Sequence, residues 1–518
     1  MASSTLAHSP APAAALPVGS LMDLFAGHAA AQPDALAIDD GAERLSWAEL
    51  ADRVERTAAA LQADGLERGQ AVAILGTSTV AYAVVFLAAI RAGGCTAALT
   101  TSATPAQLAA MFADTGARHL FIDRAKRAEL GGFTLAAPVE VLLDGELDAF
   151  MAAPGTRAAP FVPTEADPFG MVYSSGTTGT PKGIVHGHGM RWRQVNGRIA
   201  NGGFAPGTRT LLSTPLYSNT TLAAFLPAVF AGSTVLLMSK FDTLGWLQRA
   251  QDERATHAML VPVQYRRLLE HPGFDRFDLS SLQYKMCTSA PFPAALKAEA
   301  VRRFPGALVE IYGMTEGGMN CLLDAGRHPD KLHTVGRPAP GHQIKLIGPD
   351  LVEVQPGQAG EVVGRSGAMM LGYRNRPDLT EAGYWYDPAD GSRWQRMGDV
   401  GRIDADGFVE LVGRTKDVII SGGYNIYPGD LENALMADPR VIEAAVVGAS
   451  SAEWGETPVG FVVLREGAGG ELEAIRLAAN AQLGKTQRLS ALRTIDALPR
   501  SHIGKILKTE LQALLAAA

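Results

Sequence analysis

The fold of this chain is decided by the stretch Tyr173-Ser174-Ser175-Gly176-Thr177-Thr178-Gly179-Thr180-Pro181-Lys182-Gly183. This stretch directly follows a short apolar run. Its glycines let backbone N–H groups approach an anion closely, its hydroxyls add donors, and Lys182 adds positive charge. The GxxxxGK[ST] spacing of a P-loop is missing, because Lys182 is followed by glycine. Such a composition more often forms a flexible surface loop, but Pro181 and Lys182 give this stretch a defined, charged end. The stretch therefore predicts a phosphate-binding turn after a buried strand.

Length and composition describe a globular, multidomain protein. A chain of 518 residues is too long for one ordinary core, so we expect two or more domains. Its 47% hydrophobic and 19% charged residues are typical of soluble proteins, and no apolar run reaches the roughly 20 residues that span a bilayer. The net charge of −7 gives no general reason to bind nucleic acid or an anionic membrane. We therefore predict a cytoplasmic protein with no membrane span and no nucleic-acid partner.

The cysteines and the N-terminal residues agree with the prediction of a cytoplasmic protein. Cys95, Cys287 and Cys321 are few, widely spaced and odd in number, which fits a reducing compartment. We expect them to be small buried hydrophobes rather than catalytic groups. Residues 1–18 are rich in Ala, Ser and Pro and lack a basic segment, which indicates a disordered lead-in.

Helical and strand patterns alternate through most of the chain. Ser46 and Glu49 form a capping box that opens a helix, and Gly65 is placed to end it. Strands are expected at 211–217 and at 308–311, the latter leading into a turn at Tyr312. Such alternation predicts a doubly wound α/β architecture whose ligand-binding turns lie beyond the strand ends.

The pattern of predicted elements changes towards the C-terminus. From Ile344 onwards, short strands with Gly/Pro turns predict a compact β subdomain. The last hundred or so residues suffice for a small α+β domain. We therefore predict three regions with a hinge near Lys416: the lead-in at 1–18, a large domain at 19–414 and a small domain at 415–518.

Two local clusters have competing interpretations. His186-Gly187-His188 could bind a metal, but no carboxylate or cysteine cluster completes a site, so ordinary loop histidines are expected. Arg191, Trp192 and Arg193 form a basic-aromatic patch, which more often marks a helix surface than a nucleic-acid site.

Four segments, in the same order, resemble the signature of the adenylate-forming superfamily, which comprises acyl-CoA synthetases, nonribosomal adenylation domains and firefly-type luciferases. They are SSGTTGTPKG at 174–183, YGMTE at 312–316, Gly398-Asp399 followed by GRTKD at 413–417, and PRSHIGK ending at Lys505. Together they span nearly the whole chain. The fold that the resemblance implies is a large N-terminal domain of α/β layers with a β subdomain, followed by a small mobile α+β C-terminal domain.

The resemblance implies an acid–thiol ligase with two half-reactions. A small or medium carboxylic acid attacks the α-phosphate of ATP, giving acyl-AMP and pyrophosphate, and the acyl group then passes to the thiol of coenzyme A. The first step gathers negative charge, so it needs positive groups, backbone donors and a divalent cation, here Mg²⁺. The implied cofactors and partners are ATP, Mg²⁺, CoA and a small carboxylic acid.

Three catalytic residues follow from the resemblance. Thr315 would contact the α-phosphate, and Glu316 would ligate Mg²⁺ through a hard carboxylate oxygen. Lys505 would reach the carboxylate and the α-phosphate during adenylation. Outside such motifs, a glutamate or a lone lysine is more often a solvated surface residue, so the motif context carries these assignments.

The resemblance also assigns the residues that bind the nucleotide. Tyr312 would stack on adenine, and Asp399 would accept hydrogen bonds from the ribose hydroxyls with Arg414 beside it. Without the motif, a tyrosine at a strand end is more often core packing and an aspartate after glycine a turn former. The other face of adenine and the triphosphate would be bound by Ser289, Ala290 and Pro291 and by Ser174, Ser175, Gly176, Thr177, Thr178, Gly179 and Lys182.

Thiol transfer would use the small domain. The loop Gly422, Gly423 and Tyr424 resembles the wall of a pantetheine tunnel, where glycine suits a narrow passage, and Trp454 matches a position near the transfer site. Lys416 takes the hinge position. Rotation there would carry the small domain, and Lys505 with it, away after adenylation, so that one hinge assembles two sites in turn.

The sequence departs from the family pattern at the acid-binding end. Family members often carry an aromatic residue and then histidine after Pro-Leu, whereas here Tyr217 is followed by Ser218 and Asn219. We assign these three residues and Gly313 to the acid-binding site. The small polar side chains favour a short, hydroxylated or otherwise polar acid.

A second substrate hypothesis is a dicarboxylate bound by Arg266 and Arg267. An arginine pair on an amphipathic helix is more often solvated, so this hypothesis ranks below the first.

The sequence as a whole predicts an acyl-CoA synthetase. Alternatives are a stand-alone adenylation enzyme that loads a carrier-protein pantetheine, a luciferase-type oxidase, and a nucleotide-binding regulator that has lost catalysis. Intact Lys182, Glu316, Asp399, Arg414 and Lys505 argue against the regulator. The sequence leaves open which acid is used and the oligomeric state, a homodimer included.

Overall fold

The computed structural model describes residues 19–174, 182–422, 424–484, 487–500 and 506–516. The predicted lead-in, most of the phosphate-binding turn (175–181), Gly423 and Lys505 lie outside these residues. Along the chain we number the strands β1 to β26 and the helices α1 to α15.

Sheet A has nine strands: β1 (Leu36–Asp39), β2 (Arg44–Ser46), β9 (Arg209–Leu212), β10 (Thr234–Leu237), β11 (His257–Leu260), β12 (Tyr284–Cys287), β13 (Ala307–Met314), β14 (Gly317–Asp324) and β15 (Arg337–Pro338). Their order is β15-β14-β13-β12-β11-β9-β10-β1-β2. The six strands from β13 to β1 in this order are parallel, and β2, β14 and β15 pair antiparallel with their neighbours. The parallel strands β10 and β11 are buried along their whole length, as expected of a sheet covered on both faces.

Sheet B has seven strands: β3 (Ala71–Leu75), β4 (Cys95–Ala98), β5 (His119–Ile122), β6 (Val139–Leu142), β7 (Pro168–Ser174), β8 (Lys182–Gly187) and β18 (Gly372–Tyr373). Their order is β18-β8-β7-β4-β3-β5-β6. Strands β3 to β7 are parallel, and β8 and β18 add an antiparallel edge. The predicted phosphate-binding turn is the connection from β7 to β8.

Two further sheets follow. Sheet C contains β16 (Gln343–Ile347), β17 (Gly360–Arg365), β19 (Tyr384–Tyr386), β20 (Arg393–Ile403) and β21 (Val409–Arg414), and sheet D contains β22 (Ile419–Ser421), β23 (Tyr424–Ile426), β24 (Val441–Ser451), β25 (Gly455–Leu464) and β26 (Ala491–Thr494). The predicted boundary and hinge fall in the short 3₁₀ turn Thr415–Asp417 between these sheets. They remain predictions.

The helices are α1 (Leu21–Ala31), α2 (Trp47–Ala63), α3 (Val80–Arg91), α4 (Pro105–Thr115), α5 (Arg124–Glu129), α6 (Leu147–Phe150), α7 (His188–Gly202), α8 (Asn219–Phe230), α9 (Thr243–Asp252), α10 (Pro262–Leu269), α11 (Ala294–Arg303), α12 (Pro377–Ala382), α13 (Pro428–Met436), α14 (Leu472–Gln482) and α15 (Lys508–Ala516). Helices α3 and α8 are apolar nearly all round, as buried helices are. Their side chains share one hydrophobic core with residues of both sheet A and sheet B. The two sheets are therefore held together through these helices.

The sequence located most elements well. The capping box of α2 is present, and Gly65 follows the helix with φ of +85°. The strand predicted at 211–217 ends early, because Pro215 has no N–H to give to a ladder. The segment after it is held by side chains instead: the Ser78 hydroxyl accepts from the Leu216 N–H at 2.9 Å.

The architecture confirms the predicted fold class, an α/β N-terminal part with a β subdomain and a smaller α+β C-terminal part. All three cysteines are buried, as predicted, and burial raises the pKa of the Cys95 thiol to about 12. In the portion of the chain that the structure describes, we find no helix that is long and apolar enough to cross a bilayer.

Candidate active site

Three sheets meet at the hairpin between β13 and β14. Thr315 and Glu316 lie at its tip, beyond the end of the parallel strand β13 in sheet A. Open α/β sheets place their ligands at this edge. The edge strands of sheet B contact the tip, and sheet C contacts the strand that leads to it. Most of the predicted site residues that the structure describes lie in or beside three clusters around this hairpin or in a fourth on sheet D.

The Glu316 cluster consists of Glu316, Tyr373 and Lys182. The Tyr373 hydroxyl donates to Glu316 Oε1 at 2.7 Å, and the Lys182 ammonium lies 5.5 Å from the centroid of the Tyr373 ring, within cation–π range. Burial, and then the charge of Glu316, raises the pKa of Tyr373, so its hydroxyl stays protonated and donates. The cluster thus places a carboxylate and a lysine together where the predicted phosphate-binding turn re-enters sheet B.

The backbone of the hairpin is held in place by close contacts with the segment that contains Ala368 and Met370. Gly317 has φ of +85°, and a Cβ at this position would lie 2.1 Å from the carbonyl oxygen of Ala368. The Met370 N–H donates to the carbonyl oxygen of Glu316 at 2.9 Å. Tyr312, expected in a turn, lies in β13, because that strand continues as far as Met314. The Glu316 carboxylate is therefore presented from a rigid support.

The Asp399 cluster joins sheet A to sheet C. The Tyr312 hydroxyl donates to Asp399 Oδ2 at 2.8 Å, and Arg414 Nε lies 3.0 Å from Asp399 Oδ1. Burial, and then the charge of Asp399, raises the pKa of Tyr312 far above its ordinary value. The Asp399 carboxylate is therefore oriented by one neighbour from each sheet.

The turn after β12 lies beside this cluster. The Thr288 hydroxyl donates to the carbonyl oxygen of Ile311 on β13 at 2.7 Å. Ser289 has φ of +84°, a conformation that is uncommon outside glycine, and its hydroxyl contacts that of Thr220. Ala290 is half-buried and Pro291 is exposed. The turn predicted to line adenine is thus tied to the strand that carries Tyr312.

The Arg191 cluster corrects two sequence expectations. His186 lies in β8 and is fully buried, not in a loop, and Arg191 is 3% exposed, not on a helix surface. The reason is that α7 packs on β7, β8 and α8, which turns its first residues inward. Arg191 Nη2 donates to His186 Nδ1 at 2.7 Å and to Asn219 Oδ1 at 3.0 Å, and His186 Nε2 lies 2.8 Å from the carbonyl oxygen of Thr315.

These partners determine which ring nitrogen of His186 carries the hydrogen. An arginine only donates and a carbonyl only accepts, so Nδ1 is the acceptor and Nε2 carries the hydrogen. Burial, and then the charge of Arg191, holds the pKa of His186 well below its ordinary value. A continuous line of hydrogen bonds therefore runs from Asn219, at the predicted acid-binding end, to Thr315, the predicted α-phosphate ligand.

The other residues of the acid-binding end are placed by the start of α8. Ser218 is the N-cap of α8, and its hydroxyl accepts from the Thr220 N–H at 3.3 Å. Tyr217 is half-buried. Gly313 is exposed on β13, and a Cβ there would lie 2.0 Å from Asn320 Nδ2. Asn219 hydrogen-bonds to Arg191, whereas the Ser218 hydroxyl already caps α8.

The predicted thiol-transfer residues gather on sheet D. The Gly422 N–H donates to the carbonyl oxygen of Trp454 at 2.8 Å, and a Cβ at position 422 would lie 2.8 Å from the indole ring. Tyr424 is 60% exposed and Trp454 is 52% exposed. The structure thus brings Gly422, Tyr424 and Trp454 to one exposed surface of the C-terminal part, while Lys416 is exposed in the turn before sheet D.

Comparison with known proteins decides the family. The model of the AMP-binding enzyme family matches residues 25–374, and the AMP-binding enzyme C-terminal domain matches residues 430–505. The chain belongs to the AMP-binding enzyme family. It is 35% identical to a feruloyl-CoA synthase of Amycolatopsis sp., over 93% of this chain and 96% of that protein. It is 30% identical to the fatty acid–[acyl-carrier-protein] ligase ScoC of Streptomyces coeruleorubidus, over 95% and 96%.

A solved structure of this family agrees with the fold. The ATP-bound MatB of Rhodopseudomonas palustris superposes with a TM-score of 0.86 at 29% identity, over 95% of this chain and 98% of that one. The chain is therefore an adenylate-forming ligase of the acyl-CoA ligase family, whose members use ATP and, in the CoA ligases, coenzyme A.

The residues present suit a nucleotide with its metal ion. Glu316 offers a half-buried carboxylate oriented by one phenol, and magnesium is commonly held by one or two carboxylates together with substrate phosphates. Three residues of these clusters were not predicted as site residues: Tyr373 was not singled out, His186 was expected in a loop, and Arg191 was expected on a helix surface. The sequence of α7 gives little signal of this burial, because it also carries Arg193, Gln194, Asn196 and Arg198.

We expect the stability of this enzyme to fall as the pH drops below about 6.5, the ordinary histidine value. Burial lowers the pKa of five histidines, reaching about 4 for two of them, His188 and His342; the others are His119, His186 and His257. In the folded protein they take up protons only at a lower pH than in the unfolded chain, where protonation begins near the ordinary value. Each therefore reduces the free energy of unfolding by up to ~1.4 kcal/mol per pH unit.

Thermal denaturation at pH 8.5, 7.5 and 5.5 measures this effect. The midpoint should be similar at the two higher pH values and clearly lower at pH 5.5. Equal midpoints at pH 7.5 and 5.5 would contradict the assignment of neutral buried histidines.

Proposed function

We propose that this enzyme activates a small or medium carboxylic acid as acyl-AMP and transfers the acyl group to coenzyme A. The observation that carries the proposal is the convergence of the Glu316 and Asp399 clusters on one hairpin. A lysine and a carboxylate suited to phosphates and a metal lie on one side of it, and a carboxylate with a buried tyrosine suited to a nucleoside lies on the other. The membership of the chain in the AMP-binding enzyme family supports the same reaction.

Each residue would contribute charge or orientation to the first half-reaction. Lys182 would neutralise phosphate oxygens, and Thr315 would bind the α-phosphate. Asp399 would hold the ribose, and Tyr312 the adenine. Glu316 would hold Mg²⁺, which when bound offsets the negative charge of the triphosphate. Because the reaction needs little covalent help from the protein, positioning and charge stabilisation supply most of the rate.

The small domain would provide Lys505 for adenylation and the surface of Gly422 and Trp454 for thiol transfer. In the present arrangement two ion pairs among the described residues hold the C-terminal part to the N-terminal part. Arg402 binds Asp430 with both nitrogens at 3.0 Å, and Arg266 on α10 contacts Glu443. Arg266 is thus engaged by the other domain, which weakens the hypothesis that it binds a dicarboxylate with Arg267.

Replacing Lys416 with proline should separate the two half-reactions. Proline fixes φ near −65°, so it would restrict the backbone rotation on which domain alternation depends. We expect acid-dependent ATP–pyrophosphate exchange to persist and CoA-thioester formation to fall at least roughly tenfold, a barrier increase of about 1.4 kcal/mol. Lys416→Ala is the matched control and should retain both activities. Equal loss of both reactions in Lys416→Pro would refute the hinge.

The acceptor is tested by measuring pyrophosphate release across a panel of acids with and without CoA. The panel covers short, branched, hydroxylated, aromatic and dicarboxylic acids. Turnover that requires CoA supports the proposal. A second candidate acceptor is a carrier-protein pantetheine, favoured by the similarity to an acyl-carrier-protein ligase. Pyrophosphate exchange without any CoA thioester would favour this second acceptor, and ATP binding without turnover on any acid would overturn both.

A further inference from the structure

Arg191 is a buried cation whose hydrogen-bond partners among the described residues are all neutral. Its side chain donates to His186 and Asn219 through Nη2 and to Gln194 Oε1 through Nη1 at 3.0 Å. Its Nε is buried and has no hydrogen-bond partner among the described residues. Among the residues that the structure describes, no carboxylate lies within ion-pair distance of the Arg191 guanidinium.

Such an arrangement is unfavourable unless something compensates for it. Burying a charge is costly when no opposite charge accompanies it. Burial lowers the pKa of Arg191 to about 9, and Arg198 on the same helix lowers it as well. The group nevertheless remains a cation at neutral pH. Burial also lowers the pKa of Arg198, so the inner side of α7 carries two positive charges.

Arg191 lies close to the predicted reaction centre. One imidazole ring and two hydrogen bonds separate its guanidinium from the carbonyl oxygen of Thr315. Asn219, its other partner, belongs to the segment assigned to the acid, and the hydroxyls of Thr220 and Ser289 meet next to it. The surroundings of Arg191 on this side are therefore polar.

We propose, on the basis of the proposed function, that Arg191 is the specificity-determining cation of the acid-binding site. The substrate would be a short acid that carries a second oxyanion, a carboxylate or a sulfonate, opposite the carboxylate that is activated. The second oxyanion would supply the counter-charge that the described residues lack, and it would accept hydrogen bonds from the guanidinium N–H groups that have no partner among them. Charge-assisted hydrogen bonds of this kind are about twice as strong as neutral ones.

The wild-type enzyme gives the first test. Acyl-AMP formation is measured for matched acids of equal length, succinate against butanoate, malonate against propanoate, and sulfoacetate against propanoate. A site built around a polar group rejects the analogue that lacks it strongly, so we expect kcat/KM to favour at least one dianion by on the order of 100-fold. Equal or better use of every monoanion overturns the inference. If no acid gives acyl-AMP at all, the proposed function itself fails, which is a different result.

Variants of two neighbouring arginines give the second test. Arg191→Met should remove the preference for the dianion and change kcat/KM for its monoanionic partner by only a few-fold, with Arg191→Lys in between. Arg193→Met is the matched control, because Arg193 is on the same helix but binds Glu165 at 2.8 Å at the surface. Equal loss on both acids in Arg191→Met would show that Arg191 only positions His186 and Thr315. If Arg191→Met does not fold, the wild-type comparison decides alone.

Discussion

Glu316→Gln is expected to reduce acid-dependent ATP–pyrophosphate exchange by on the order of 100-fold or more, because a neutral amide is a poor ligand for a hard divalent cation. Glutamine keeps the length of the side chain and an oxygen that can accept from the Tyr373 hydroxyl, which lies 2.7 Å from Glu316 Oε1 in the native protein. The loss should therefore come from the missing charge rather than from a collapsed hairpin. A higher Mg²⁺ concentration should recover part of the activity.

Two further variants make this result specific. Tyr373→Phe removes only the donor that orients the carboxylate, so we expect a smaller loss, roughly tenfold, the cost of one hydrogen bond to a charged group. Glu353→Gln changes an exposed glutamate on the same domain, whose side chain is 52% exposed beside Lys345, and should leave exchange unchanged. Exchange in Glu316→Gln above half of the wild-type rate at saturating Mg²⁺ would be incompatible with the metal-binding role.

Lys505→Ala should strongly reduce adenylation while sparing thiol transfer. We expect ATP–pyrophosphate exchange to fall by about 100- to 1,000-fold, the effect of removing one preorganised group that stabilises transition-state charge. Transfer of the acyl group from chemically prepared acyl-AMP to CoA should continue near the wild-type rate, because in the proposed cycle Lys505 has left the site by then. The measurement needs both assays on one protein preparation.

Lys508→Ala is the matched control for Lys505. Lys508 Nζ lies 2.7 Å from Glu432 and 3.0 Å from the carbonyl oxygen of Val446, so its role is to hold α15 on sheet D. Its loss should lower thermal stability and leave exchange largely intact. Unchanged exchange in Lys505→Ala would remove this residue from the mechanism.

The elements of the fold were predictable wherever local chemistry is decisive. The capping box at Ser46 and Glu49 and the terminating Gly65 follow from hydrogen-bonding rules that act within one turn. The limits of the strand at Arg209–Leu212 were harder to predict, because the following apolar residues extend the pattern although Pro215 cannot join a ladder.

The candidate site was predictable residue by residue but not as a network. Motif resemblance pointed to Glu316, Tyr312 and Asp399, and the structure shows that the last two are in contact. Tyr373 reaches Glu316 only because β18 adds to the edge of sheet B, a long-range pairing that no local pattern reveals. Arg191 was assigned to a surface because its burial depends on how α7 packs against β7, β8 and α8.

The central claim is that the three clusters around the β13–β14 hairpin form an AMP-forming acid-activating site. The most direct measurement is mass spectrometry of the products after incubation with ATP, Mg²⁺ and the best acid, without CoA. The account predicts acyl-AMP and pyrophosphate, with the acyl-AMP discharged to a CoA thioester and AMP when CoA is added. Formation of ADP and an acyl phosphate, or hydrolysis of ATP independent of any acid, would contradict it.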